Sequence, residues 1–151
     1  MKNQNKTKQK KSIYIDTNTI SDAIEDRTNE FGENIGKYAY RLFWNCKGHG
    51  VDIVISEWTL EELFRRYNPQ DLQAFFAMFK DVIKRVKSPK SEEGEAEKRS
   101  SVHPDDARHI IIAEREKVDI IATSNIAHFL QIGSHILIKK PKHISESDLL
   151  K

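Results

Sequence analysis

Cysteine is nearly missing from this chain: Cys46 is the only one among 151 residues. One thiol cannot build an intramolecular disulfide framework or a cysteine-based zinc knuckle, and its rarity suits a reducing compartment, so cytoplasm is the expected location. Long apolar runs are missing too. They extend over a few residues, against the roughly 20 that a membrane-spanning helix needs, and none follows the lysine-rich start as a signal peptide requires. The expectation is a soluble protein that is not exported. There is no glycine-rich phosphate loop, no internal repeat, and no Ser-His-Asp or Cys-His arrangement that can be argued.

What is present bounds the rest. A chain of 151 residues that is 38% apolar holds one domain with a real core and is too short for two ordinary ones. The formal charge is +2, but residues 1–11 carry Lys2, Lys6, Lys8, Lys10 and Lys11 with no acid. That leaves 20 of the 25 basic residues against 23 acidic ones, so the body is mildly acidic. The tail, residues 1–11, is expected to be a disordered, solvated terminus, with nucleic-acid contact as the other reading, and residues 12–151 to be a single domain.

Ile13-Tyr14-Ile15 has the form of a short buried strand ending at Asp16, and Thr17 to Glu25 that of a helix. Ile35, Ala39, Leu42, Phe43 and Cys46 recur at helical spacing before Gly48 and Gly50, and Val51 to Ile55 makes a second strand. Ser56 is placed to cap a helix whose stripe is Leu60, Leu63, Phe64 and Tyr67. Asn68-Pro69 breaks it. Pro69 then opens the most regular stripe in the sequence, Leu72, Phe75, Phe76, Phe79, Ile83 and Val86. Lys87 to Ser101 is rich in Ser, Glu and Lys, and a mobile loop is expected at about 87–102. A helix from Pro104 to about Lys117, a strand over Asp119 to Thr123, a short helix over Asn125 to Leu130, a strand over Ile136 to Ile138 and a helix capped by Ser145 complete the chain. Alternation of this kind predicts an α/β fold with a mostly parallel sheet of four to five strands, covered on both faces, with ligands beyond the carboxyl ends of the strands.

That connectivity nominates Asp16, Glu61 or Glu62, Asp105 and Asp106, and Thr123 to Asn125. Carboxylates gathered at one sheet edge repel each other, and a divalent cation is the natural compensation. Mg²⁺ or Mn²⁺ fits oxygen ligands and leaves positions open for phosphate oxygens, which points to phosphodiester hydrolysis. Taken singly, each acid has an ordinary explanation. Asp16 suits a helix cap, Glu61 and Glu62 a solvated face, and Asp105 and Asp106 the first turn of a helix, where acids complement the dipole. Helical periodicity does not choose between Glu61 and Glu62. The six histidines form no metal site by spacing. His103 and His109 bracket the Asp pair, where a contact to substrate phosphate is one reading, but a surface or capping role is the expected one; Tyr14 and Trp58 are expected in the core.

Four short motifs in order carry a family resemblance: Asp16-Thr17-Asn18 after the first strand, Ser56-Glu57-Trp58-Thr59-Leu60-Glu61-Glu62-Leu63, Pro104-Asp105-Asp106-Ala107, and Thr123-Ser124-Asn125-Ile126-Ala127-His128-Phe129. Over Ile13 to about Leu150 the chain resembles a PIN domain of the VapC-like ribonuclease kind, in the branch with a Thr-x-Asn-x-x-His-Phe motif. The resemblance implies a three-layer α/β/α nuclease domain that cuts RNA with Mg²⁺ or Mn²⁺, leaving a 5′-phosphate and a 3′-hydroxyl. Such domains commonly act as the toxin of a type II toxin–antitoxin pair, with an antitoxin as partner, and family members often pair as homodimers. Carried over, Asp16, Glu62 and Asp106 hold the metal, and Asn18 and Thr123 orient the site. His128 is expected to pack or hydrogen-bond beneath the site. Asn125 stands where many of these domains have a fourth acid, and Asp105 is a nearby carboxylate. Arg65, Arg66 and Arg108 are candidate phosphate contacts.

Three other functions compete. A catalytically inactive PIN-like module that binds RNA or protein would tolerate Asn125. A housekeeping RNA-processing nuclease would use the same acids without an antitoxin. A haloacid-dehalogenase-like phosphatase is suggested by Asp16-Thr17-Asn18-Thr19, but the second acid of that motif is missing.

Overall fold

The computed structural model describes residues 10–150. Most of the expected basic tail, residues 1–9, lies outside them. Of its described part, Lys10 pairs with Asp52 at 3.1 Å and Lys11 donates to the Asp148 carbonyl at 3.1 Å.

Strand β1 (Ser12–Ile15) is the middle of a five-stranded sheet. On one side lie β2 (Asp52–Ser56) and then β3 (Ile83–Val86); on the other lie β4 (Ile120–Ala122) and then β5 (Leu137–Lys139). Every pairing is parallel, including Tyr14 opposite Val54 and Ile121. The order β3-β2-β1-β4-β5 means that the chain winds one way from β1 and the other way beyond it. Crevices open at such a reversal, beyond the carboxyl ends of the two strands that flank it.

Alternation along the strands makes the layers. Ile13, Ile15, Ile53, Ile55, Ile120 and Ala122 point to one face, where they pack with α1 (Thr17–Glu25), α2 (Ile35–His49), α3 (Glu57–Phe64) and α4 (Pro69–Ala77). Tyr14, Val54 and Ile121 point to the other, under α6 (Pro104–Arg115) and α7 (Ile126–Ile132). The result is an α/β/α sandwich. Helix starts follow side-chain caps: Asp16 accepts from Thr19 N, Asn34 from Lys37 N, Ser56 from Thr59 N and Asn68 from Asp71 N. Gly36 lets α2 begin hard against the end of α1, since a Cβ there would lie 2.5 Å from Arg27 N and from Asp22 O. Cys46 is buried in the first layer, where loss of solvent pushes its thiol up to about 12. No helix among the described residues is long and apolar enough to cross a membrane.

Two elements depart from the sequence expectation. The stripe that begins at Leu72 does not continue helically to Val86; α4 stops at Ala77, and residues 83–86 form the edge strand β3. Pairing decides this. Without β3, one side of β2 would leave its backbone groups open, and in extended form Ile83 and Val86 reach opposite layers of the core. The segment expected to be a loop contains α5 (Ser91–Arg99). It docks through charge, with little apolar surface. Glu92 is buried and accepts from Arg115 and from Ser88 Oγ, while Arg99 donates to both Glu114 oxygens at 2.6 and 2.7 Å and to the Gly133 carbonyl at 3.0 Å. Acids in its first turn and bases in its last also complement the helix dipole. The C-terminal segment adds a 3₁₀ turn at Pro141–His143 and α8 (Glu146–Leu150).

The docking of α5 predicts a pH-dependent stability. The Arg99 hydrogen bonds hold the Glu114 carboxyl below its ordinary 4.5, against partial burial and with help from Ser134. A depressed carboxyl contributes stability above its unfolded value and loses it as the pH falls through its folded value. Glu114→Gln is therefore expected to cost about 1 kcal/mol at pH 7 in urea denaturation, with the difference from wild type shrinking below about pH 4. An equal difference at pH 7 and pH 3 would contradict this.

Candidate active site

A cleft of about 300 Å³ opens at the reversal between β1 and β4. Its walls include Asp16 and Asn18 from the start of α1, Glu62 and Arg66 from α3 and the turn after it, Asp105, Asp106 and His109 from α6, and Asn125 and His128 at α7. The three acids thus meet across 90 residues of sequence. Each arrives by a local rule: a strand end, a helix face nearly two turns past a serine cap, and the first turn after Pro104.

Asp16 has two duties. It is 1% exposed, its Oδ1 caps α1 by accepting from Thr19 N at 3.2 Å, and its Oδ2 accepts from Thr123 Oγ1 at 3.0 Å. Burial pushes its carboxyl up to about 6, against the opposing pull of the His109 charge and of the bonds from Thr19 and Thr123. The cap and the cleft position, alternatives in the sequence, coincide.

Glu62 accepts on Oε1 from Thr17 Oγ1 and from His109 Nε2, the latter at 3.0 Å. Burial disfavours its charge, but His109 and Thr17 more than offset this and hold the carboxyl below its ordinary value. Its neighbour Glu61 faces solvent and pairs with Arg65 at 3.3 Å. Asp106 Oδ2 lies 3.3 Å from the Asn125 amide nitrogen and 3.2 Å from His128 Nδ1. Among the described residues, no protein group donates to the second oxygen of Glu62 or of Asp106. Those oxygens are free for a ligand.

His109 overturns its reading as a surface or capping residue. It is 3% exposed and sits between Tyr14, whose hydroxyl is 2.6 Å from Nδ1, and Glu62 at Nε2. Burial works against a charge on this imidazole, but Tyr14, Glu62 and Asp16 prevail and push it up to about 10. As an imidazolium it donates from both nitrogens, and the Tyr14 hydroxyl is hydrogen-bonded onward to the Ser56 and Thr59 hydroxyls, 3.0 and 3.2 Å away. Nearly the same helix face carries Asp106 and His109, three residues apart; that spacing is the signal by which the sequence could have placed His109 here. Tyr14 and Trp58 are buried, as expected.

The remaining candidates separate. Thr123 orients Asp16, and Asn125 binds Asp106. Asn18 accepts from Arg66 at 3.2 Å and makes no bond to the three acids among the described residues. Arg66 lines the cleft. Arg65 lies over Trp58 and pairs with Glu61 outside it. Arg108 is not free to meet a phosphate: it is 5% exposed, stacked 4.4 Å from the Trp58 ring, and donates to Ser88 Oγ at 3.0 Å.

No family model matches the sequence, and no curated protein does. Among solved structures the chain is similar to one in VapBC2 from Rickettsia felis, crystallised bound to a DNA fragment from their promoter. The TM-score is 0.59 at 17% identity, over 85% of this chain and 98% of that one. The fold is PIN-like. At this identity the likeness speaks for the fold, and it does not single out the Thr-x-Asn-x-x-His-Phe branch.

The buried ion pair between His109 and Glu62 predicts a stability cost on its removal. His109→Leu strands the Glu62 charge, and a loss of about 3 kcal/mol in urea denaturation is expected. A loss below about 1 kcal/mol would mean that the imidazole carries no such charge.

Proposed function

We propose that this protein is a metal-dependent endoribonuclease that hydrolyses RNA phosphodiesters, acting as the toxin of a type II toxin–antitoxin pair. The observation that carries the reading is the convergence of Asp16, Glu62 and Asp106 on one cleft at the reversal point of a PIN-like sheet. Similarity to a chain of VapBC2 supports the toxin assignment and an antitoxin partner.

The donor set fits a hard divalent ion. Four carboxylates, those of Asp16, Glu62, Asp105 and Asp106, line a cleft whose only long-chain cation among the described residues is Arg66, and Asp16 is held in a burial that raises its carboxyl to about 6. Asp16, Glu62 and Asp106 would hold Mg²⁺ or Mn²⁺, with Asp105 at the rim. Such an ion supplies polarisation of the phosphodiester and a lowered pKa for an attacking water.

The chain's own residues do the positioning. Thr19 and Thr123 fix the Asp16 carboxylate, His109 and Thr17 fix Glu62 in its ionised form, and Asn125 fixes Asp106. Each acid therefore meets its ligand in one preset orientation, without reorganising when substrate arrives. Arg66 is exposed at the cleft wall, where it can take a phosphate of the RNA backbone in place of Asn18. The body is mildly acidic, so binding rests on this local cation and on the metal more than on overall charge.

Asn125 favours a second reading, a catalytically inactive module that binds RNA or protein. An amide there brings no charge, and it already spends hydrogen bonds on Asp106 and His128.

Cleavage of a structured RNA in Mg²⁺ or Mn²⁺ decides between them. Asp16→Asn keeps an oxygen to cap α1, so the fold survives the test. Activity is expected to fall by on the order of a hundredfold or more in Asp16→Asn, Glu62→Gln and Asp106→Asn. Equal cleavage by wild type and Asp16→Asn would remove Asp16 from the mechanism, and no cleavage by any of them would leave the binding module.

A further inference from the structure

His103, Asp106 and His128 each offer one ligand atom, and the three atoms lie within 4.8 Å of one another. None is fully buried, and all three line the outer part of the cleft. Sequence spacing gave no sign of this, because His103 precedes α6 while His128 belongs to α7.

Three details favour a cation between them. His103 occupies the N-cap position of α6 yet makes no capping bond through its side chain, and its ring instead lies 3.7 Å from that of His128 at an interplanar angle of 17°. The second detail concerns Asn125. Its amide nitrogen lies 2.7 Å from His128 Nδ1 and 3.3 Å from Asp106 Oδ2, and an amide NH₂ only donates. Asn125 therefore holds His128 Nδ1 and Asp106 Oδ2 side by side, 3.2 Å apart. Third, no protein group among the described residues donates to or accepts from the His103 ring nitrogens.

We propose that His103, Asp106 and His128 form a binding site for a borderline transition ion, Zn²⁺ above all, separate from the hard-ion position served by Asp16 and Glu62. Imidazole with carboxylate suits Zn²⁺, Co²⁺ and Ni²⁺, whereas Mg²⁺ prefers oxygen alone. Three protein ligands would leave a fourth position open to water or a phosphate oxygen. Binding requires the two rings to open from their stack so that both lone pairs converge; both are partly exposed and have room to turn. Asp106 is common to both positions, so Zn²⁺ here also draws a carboxylate away from the hard ion. The inference does not depend on RNA being the substrate.

The test is titration of the untagged, chelator-treated full chain with Zn²⁺ by calorimetry and with Co²⁺ by visible absorption. One ion per chain at micromolar affinity is expected. His103→Ala and His128→Ala should each weaken binding by about tenfold or more, while His49→Ala, removing an imidazole that pairs with Glu146 outside the cleft, leaves it within about twofold. In wild-type protein, the ring nitrogens of His103 and His128 should shift in long-range ¹H–¹⁵N spectra on adding Zn²⁺, and those of His49 and His135 should not. Undiminished affinity in His103→Ala and His128→Ala, unmoved His103 and His128 signals, or an equal loss of Zn²⁺ binding in His49→Ala would each overturn the proposal. None of these readouts involves RNA, so failure here leaves Mg²⁺-dependent cleavage standing, and absence of cleavage leaves this site standing.

Discussion

The Asp16 carboxylate is 1% exposed, ends the middle strand of the sheet, and keeps its place against a burial that raises it to about 6. Around that unfavourable charge the rest is arranged. Thr123 at the end of β4 and Thr19 in the first turn of α1 donate to it, and the protonated His109 lies close enough to lower its cost. A buried acid with this much local support is tolerated as a structural cap, and it becomes useful when a cation approaches from the cleft.

The acids also share a division of labour between their oxygens. Glu62 spends one oxygen on Thr17 and His109, and Asp106 spends one on Asn125 and His128. The oxygen that is bound fixes orientation; the other has no protein donor among the described residues. Tyr14 extends this support inward, since its hydroxyl ties His109 to Ser56 and Thr59 at the end of β2. A side chain in the middle strand thus links the core to the site.

Much of this was legible from residues because short-range rules produced it. Alternating Ile13, Tyr14 and Ile15 reveal a strand buried on both faces, Ser56 and Asn68 are caps wherever helices begin, and parallel connectivity places Asp16 and Thr123 at one sheet edge. What escaped was decided by tertiary contacts. Ile83 and Val86 fit a helical stripe, but an unpaired edge of β2 drew them into a strand. The polar segment at 91–99 lacks the apolar stripe that marks a packed helix, and ion pairs to Arg115 and Glu114 take its place. His109 reads as one histidine among six; only the fold shows that Tyr14 and Glu62 enclose it. Arg108 reads as an exposed base, yet Trp58 and Ser88 take its whole head group.

The central claim is that Asp16, Glu62 and Asp106 share one hard cation. Calorimetric titration of Mg²⁺ into wild type, Asp16→Asn, Glu62→Gln and Asp106→Asn tests it without substrate. The account predicts one Mg²⁺ per wild-type chain and a weakening of about tenfold or more in each variant. Undiminished Mg²⁺ binding in all three variants would contradict it.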